Sequence, residues 1–391
     1  MTSSSRSSAL KFLAVSALLA AVAGCGKSDG TSEYAAAEAA YSAQNLPKAE
    51  ELFAKSAEFA PTNVDAFVML AKTRLELGKR EEALASARAA LELDPDAEDA
   101  IELSAQLSWH LRDYEAARAA FERLALDEKR EAAVRSRGYA GLGVVDMSVF
   151  DDDKSDLSRR EKARCEFLTA IALDPKNASA RYHLGFLYRD AYGYPEYALD
   201  QFSYFKAVAP KVDRHLKNVV DNVIPEIRKR LDSDRAAIPG AASRNGETAA
   251  KALQLGDAAF SKGSFKTSRL RYGEALGADP LSFRAAEGVA KSIAKADATA
   301  DGRRKAYEAY RVACRLGPSK VDIFLKTATL AEQIGRQAAA AELYSRALAA
   351  SPKSQAAIDG LVRTLAKTGD AKSAGVYRKY GLAVNRKSAA R

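Results

Sequence analysis

The chain is 391 residues long, room for two or three ordinary domains, with 47% apolar residues, 28% charged residues and only 11 prolines. Alanine, leucine, glutamate, lysine and arginine dominate and no strand-like alternation is visible, which predicts an almost wholly helical protein and argues against a sheet-built one. The net charge of +9 is unevenly spread, for residues 25–240 carry 31 Lys/Arg against 38 Asp/Glu while residues 241–391 carry 27 against 13, a polarity that favours acidic proteins, anionic headgroups or anionic wall polymers over neutral partners.

Residues 1–24 form the first element. Arg6 and Lys11 precede an apolar stretch from Phe12 to Gly24, a leader of secretory length that is too short to cross a hydrocarbon core of about 30 Å as a permanent helix. Val22-Ala23-Gly24-Cys25 resembles the lipobox of bacterial lipoproteins. That resemblance implies diacylglycerol and then palmitate on Cys25, cleavage before it, and a short tether over 25–32. Gly26 follows where an aspartate would signal inner-membrane retention in enterobacteria, so the resemblance points to the outer membrane, facing the periplasm. Export on a lipid anchor removes nucleic acid from the expected partners. The remaining thiols, Cys165 and Cys314, are expected as small buried helix residues, with an intermolecular disulfide as the alternative.

From residue 33 on, self-similarity governs. A small residue, an aromatic or small residue four later, and proline eight after that recur as Ala49/Phe53/Pro61, Ala83/Ala87/Pro95, Ala163/Phe167/Pro175, Ala198/Phe202/Pro210, Ser268/Tyr272/Pro280, Ala306/Tyr310/Pro318 and Ala340/Tyr344/Pro352, and Ala117/Phe121 repeats it without the proline. Upstream of these lie Leu70-Ala71, Leu142-Gly143, Leu184-Gly185, Leu255-Gly256 and Thr327-Ala328, the marks of a preceding helix. Gly78, Gly263, Gly335 and Gly369 fall between the two helices, where a residue tolerant of left-handed φ ends the first. Pro61 to Pro95 and Pro318 to Pro352 are both 34 residues apart. The pattern resembles the tetratricopeptide repeat, a helix-turn-helix unit of 34 residues with W-x2-L-G-x2-Y, A-x3-F and P positions. The resemblance implies an all-α fold, an α-solenoid (a right-handed superhelix) of stacked pairs in which each pair buries its apolar face on its neighbour.

Two departures set the expected domain limits. A loop enlarged to 150–158 around Asp151-Asp-Asp-Lys-Ser-Asp156 is expected in the fourth unit, with Ser158-x-x-Glu161 as a capping box for the helix that follows. Calcium does not suit those aspartates, because the turn glycine and terminal glutamate of an EF-hand are missing. After about five repeats (33–210), the run Val212, Leu216, Val219, Val223, Ile227 and Leu231 predicts a capping helix over 211–232, broken at Pro225. Residues 233–248, containing Ile238-Pro-Gly, read as a linker. About four more repeats fill 249–382, the last one degenerate with Arg378 in the aromatic place, and a basic tail covers 383–391.

No catalytic constellation is found. His110, His183 and His215 lie in separate units without metal-ligand spacing, and the phosphate-loop, dinucleotide and nucleophile-elbow signatures are absent. No enzyme activity, cofactor or metal is expected. The tetratricopeptide resemblance implies protein binding on the wall made by the first helices, and maps it to Lys72, Glu76, Gln106, Trp109, His110, Tyr182, Phe186, Arg189 and Phe260. Trp109 is the only tryptophan, and aromatic residues with arginine are favoured interface anchors. Arg269, Arg271, Arg303, Arg304, Lys305, Arg378 and Lys379 are the candidate basic docking surface. The expectation is thus a lipid-anchored scaffold or adaptor that assembles a machine of the bacterial envelope. The alternatives are a pilotin-like chaperone for secretin, type IV pilus or outer-membrane protein assembly, and a peptidoglycan-associated structural protein or regulator of a cell-wall enzyme.

Overall fold

The computed structural model describes residues 30–209 and 214–389, so the leader, Cys25 and the tether up to residue 29 lie outside the described residues. All regular elements among the described residues are helical. In chain order the pairs are α1 (Thr31–Ser42) with α2 (Leu46–Phe59), α3 (Val64–Glu76) with α4 (Arg80–Leu93), α5 (Glu98–His110) with α6 (Tyr114–Ala125), and α7 (Ala132–Asp152) with α8 (Leu157–Leu173). The fifth repeat joins α9 (Ala178–Phe186), continued by a π-helical turn Leu187–Tyr192, to α10 (Pro195–Val208). Next come α11 (Arg214–Asn218), a second π turn Val219–Val223, and α12 (Ile224–Ala236). The last four repeats are α13 (Gly246–Ser261) with α14 (Phe265–Ala278), α15 (Phe283–Ala296) with α16 (Ala300–Leu316), α17 (Val321–Gln333) with α18 (Gln337–Ala350), and α19 (Gln355–Lys367) with α20 (Ala371–Ala389).

The small and aromatic positions of the repeat are the core. Ala49, Phe53, Ala83, Ala87, Ala117, Phe121, Ala163, Phe167, Ala198, Phe202, Ser268, Tyr272, Ala306, Tyr310, Ala340 and Tyr344 are all buried. Each buried aromatic removes apolar surface worth roughly 1.5–3 kcal/mol from water. Close approach explains the partner position: a Cβ added to Gly143 would meet the Phe167 ring at 2.5 Å, and one added to Gly360 would meet Tyr344 of the preceding repeat at 2.5 Å. Gly78, Gly263, Gly335 and Gly369 take φ between 72° and 88° between their helices. Gln44 and Arg112 hold the same left-handed place in repeats one and three, at the cost glycine avoids. The repeat prolines 61, 95, 175, 280, 318 and 352 each follow the residue that ends a second helix, where no further turn is wanted.

In the fourth repeat the extra residues extend the helices instead of forming a large loop. α7 has 21 residues and α8 has 17, leaving only 153–156 between them. Arg159 Nη1 donates to the buried Asp146 carboxylate at 2.9 Å, which ties the two added turns together. The cap also differs from expectation. Asp156 is the N-cap and accepts from the Ser158 amide at 3.2 Å, which releases Glu161 for another role. The capping helix runs on through Pro225: the π turn Val219–Val223 precedes it and proline sits in the first turn of α12, where it lacks no needed donor. Val219, Val223, Ile224 and Ile227 are buried.

Packing divides the chain into two compact bodies, with one ending at Ala120 and the other beginning at Phe121. The division expected at 233–248 is therefore not where packing divides. Residues of the fourth and fifth repeats share one apolar cluster with residues of the last three, from Phe167 and Phe202 to Tyr344 and Tyr380. Residues 233–248 hold the end of α12, a short 3-10 turn Ala241–Ser243, and Asn245, whose side chain caps α13.

Candidate functional site

In the N-terminal body the first helices of successive repeats stand side by side and their polar side chains join across the wall. Tyr41 Oη on α1 donates to Glu76 on α3, and Lys72 Nζ on α3 donates to Asp99 on α5 at 2.8 Å. Burial of the ring, and then the hydrogen bond and charge of Glu76, raise the Tyr41 phenol to about 12, so this bridge holds through the physiological range. Further along α5, Gln106 is exposed and bonds to Glu102 at 3.3 Å, and the half-buried Trp109 packs on the exposed His110 with ring centres 4.8 Å apart.

In the C-terminal body the other mapped aromatics are held by their neighbours. Tyr182 lies 4.9 Å from Phe186, 5.3 Å from Phe205 and 4.8 Å from the His215 ring of α11, whose Nδ1 is 3.3 Å from the tyrosine oxygen. The Arg189 guanidinium caps Phe186 at 4.6 Å and pairs with Asp190 at 2.6 Å. Phe260 packs on Phe265 at 5.3 Å. These rings are half-buried, with the capping helix drawn onto Tyr182. The basic candidates divide in the same way. Arg271 pairs with Glu274 at 2.9 Å, Lys305 with Asp301 at 2.5 Å, and Arg303 donates to the Ala298 carbonyl at 2.6 Å. Arg269, Arg304, Arg378 and Lys379 are exposed.

A buried polar cluster in the C-terminal body was not legible from spacing. Glu161 accepts from Arg160 at 2.7 and 3.0 Å, from Arg164 at 3.1 Å, from Tyr192 at 2.6 Å and from Tyr377. Arg164, fully buried, also donates to Tyr377 and to Ser345 Oγ at 2.7 Å. Its guanidinium lies 4.6 Å over the Tyr192 ring. Tyr194 reaches Ser345 Oγ at 3.3 Å, and Arg346 pairs with Glu196 at 3.2 Å. α8 and the fifth repeat are thereby fastened to α18 and α20 across up to 216 residues of sequence. Burial and the cationic Arg164 act in opposite senses on the neighbouring thiol of Cys165; burial prevails and pushes it up. Cys314 is likewise buried with a raised thiol pKa, and both cysteines are free. A cavity of about 400 Å³ opens beside the cluster, lined by Arg160, Tyr192, Tyr194, Glu342, Ser345 and Asp370 among others. Glu161 accepts from two arginines and two tyrosines, so its carboxylate fastens the fold at this point.

Among the described residues, no group of three His, Cys, Asp or Glu side chains is placed to hold a metal ion, and no helix is long and apolar enough to cross a membrane.

The model of the tetratricopeptide repeat matches residues 68–133 and 301–355. Those two stretches are tetratricopeptide repeats, and the same buried small-and-aromatic pattern recurs in the helix pairs between and around them, which gives an all-α fold built of tetratricopeptide-like repeats. Among solved structures it is similar to a MamA fragment (41-end) from Desulfovibrio magneticus RS-1, with 17% identity over 48% of this chain and 99% of that one at a TM-score of 0.38. It is similar to a thermophilic TPR protein of Thermus thermophilus, with 20% identity over 52% and 97% at 0.38. PilF of Pseudomonas aeruginosa gives 17% identity over 54% and 93% at 0.40. No curated protein matches the chain.

Proposed function

We propose that this protein is a lipid-anchored adaptor of the bacterial envelope that holds protein partners on the wall formed by its first helices and so assembles or stabilises an envelope machine. The observation that carries the binding role is the joined wall of α1, α3 and α5, braced by Tyr41–Glu76 and Lys72–Asp99 and presenting Gln106, Trp109 and His110. Bracing fixes the wall before a partner arrives, which lowers the ordering cost of binding, and a tryptophan beside an imidazole offers a large contact area with few torsions to freeze. The tetratricopeptide class binds peptides and proteins and is typically not catalytic. The anchor rests on Val22-Ala-Gly-Cys25 behind its basic, apolar leader; two acyl chains hold a protein to a surface stably, and confinement lets modest affinity recruit partners.

Two measurements test the reading. Trp109→Ala is expected to lose the partners that in-cell crosslinking attaches to the wild-type chain while keeping its helical circular dichroism; an unchanged crosslinked set rejects the wall as the binding surface. Mass spectrometry of the mature protein is expected to find an acylated Cys25 at its start, and Cys25→Ser is expected to leave the membrane fraction. An unacylated residue 25 rejects the anchor.

A further inference from the structure

The last helix has two unlike faces. Ser373, Ala374, Tyr377, Tyr380 and Gly381 turn inward and are buried. Tyr377 enters the Glu161–Arg164 cluster, and Tyr380 donates to the Pro352 carbonyl at 2.9 Å. α20 is therefore rigidly seated. On the opposite face Lys372, Arg378, Lys379 and Leu382 fall at i, i+6, i+7 and i+10, within one side of a 3.6-residue helix. All four are exposed, and Leu382 shows 58% of its surface to solvent. None of the three cations lies within ion-pair distance of a carboxylate among the described residues, whereas Arg284, Lys291, Lys305, Arg311, Arg336 and Arg363 in the same body each have such a partner. Sequence reinforces the asymmetry: from Ala371 to Arg391 there are six Lys/Arg and not one Asp or Glu.

We infer that the outer face of α20 is a docking surface for a membrane rich in anionic phospholipid. Exposed lysine and arginine on a seated helix gain about 1 kcal/mol each beside an anionic leaflet; Arg378 and Lys379 give up no ion pair to reach a phosphate, and Lys372 gives up only its longer-range attraction to Asp156. Leu382 distinguishes lipid from other polyanions. An exposed leucine one turn beyond two cations has nothing to bury in a hydrated anionic polymer or an acidic protein loop, while at the headgroup boundary it inserts as the phosphates pair with Arg378 and Lys379 beside it, the arrangement of interfacial helices. The seated inner face keeps the helix parallel to the surface it lies on. This surface is independent of the partner-binding wall and of acylation at Cys25, and the experiment is local to α20 so that the three fail separately.

Leu382→Trp is introduced into the full-length chain, and its fluorescence is read as the difference from the unsubstituted protein, which retains Trp109. Vesicles of phosphatidylcholine containing phosphatidylglycerol are expected to shift that difference spectrum to the blue, salt is expected to reverse the shift, and vesicles of phosphatidylcholine alone are expected to produce none. Adding Lys372→Gln, Arg378→Gln and Lys379→Gln is expected to weaken the response about a hundredfold, with unchanged melting because none of the three supports the fold. A shift of equal size on both kinds of vesicle overturns the inference. So does the absence of any shift on phosphatidylglycerol vesicles, and so does a blue shift produced without vesicles by raising the protein concentration, which assigns the face to a second copy of the chain.

Discussion

The residue that decides most in the C-terminal body is Glu161. Its single negative charge lies between Arg160 and Arg164, and Tyr192 and Tyr377 complete its acceptor sites. Replacing it with glutamine keeps the shape but leaves the fully buried Arg164 without a counter-charge, an error that costs roughly 3–5 kcal/mol. Glu161→Gln is expected to lower the denaturation midpoint accordingly. The double change Glu161→Leu with Arg164→Met is expected to recover most of the loss, because apolar groups of similar volume replace a buried pair at little cost; a double variant as unstable as the single one contradicts this account. His183 supplies a pH dependence. Burial, with a smaller contribution from His215, lowers its imidazole from 6.5 to about 4, so the unfolded chain takes up a proton that the folded one refuses between those values. Stability is therefore full above pH 6.5 and falls as pH drops toward 4, by roughly 2–3 kcal/mol. His183→Gln is expected to flatten that segment of a pH titration of the midpoint. Neither residue was legible in this role. Glu161 sits three residues after Ser158 and reads as the end of a capping box, and only the folded chain shows Asp156 taking the cap.

At the scale of elements, periodicity and steric fit were readable and local irregularity was not. The alternation of small and aromatic positions defines which faces pack, because close helix approach admits only glycine, alanine or serine opposite a ring. Gly143→Ala tests that fit: the new Cβ meets the fully buried Phe167 ring, overpacking of this kind costs about 1–3 kcal/mol, and the helix-propensity gain of alanine over glycine is at most about 1 kcal/mol. A loss of stability is expected in chemical denaturation, and a gain indicates that the ring has room to move. The two π turns left no mark in the pattern, since each inserts a residue without changing hydrophobic character. Their effect is large nonetheless. The turn Leu187–Tyr192, closed by Gly193 at φ 65°, gathers Tyr188, Tyr192, Tyr194 and Tyr197 into one set of rings. In the last repeat Arg378 occupies the expected aromatic place and is exposed, in keeping with a terminal cap; the buried ring is Tyr377, one position earlier. That slip turns a tyrosine toward Glu161 and a cation toward solvent.

On the scale of the whole chain, charge and packing follow different boundaries. The sign of the net charge changes near residue 240, and that is readable by counting. The packing boundary lies at 120 to 121, because groups 213 and 121 positions apart, Arg164 with Tyr377 and Tyr197 with the Pro318 carbonyl, join repeats that an open array would keep separate. Simple solenoids lose stability a repeat at a time when trimmed from one end. Here, removal of residues 371–391 is expected to destabilise the whole region from Phe121 onward, visible as a lowered and broadened melting transition with proteolysis inside α8; loss confined to residues beyond 355 refutes the coupling. The same fastening has a consequence for biosynthesis. A ribosome finishes α8 some two hundred codons before it supplies Tyr377, so throughout that interval the Arg164 guanidinium has no enclosing wall and stays hydrated. The carboxyl end must therefore be made and released before the region can lock, so the order of synthesis itself delays the closing of this part of the fold.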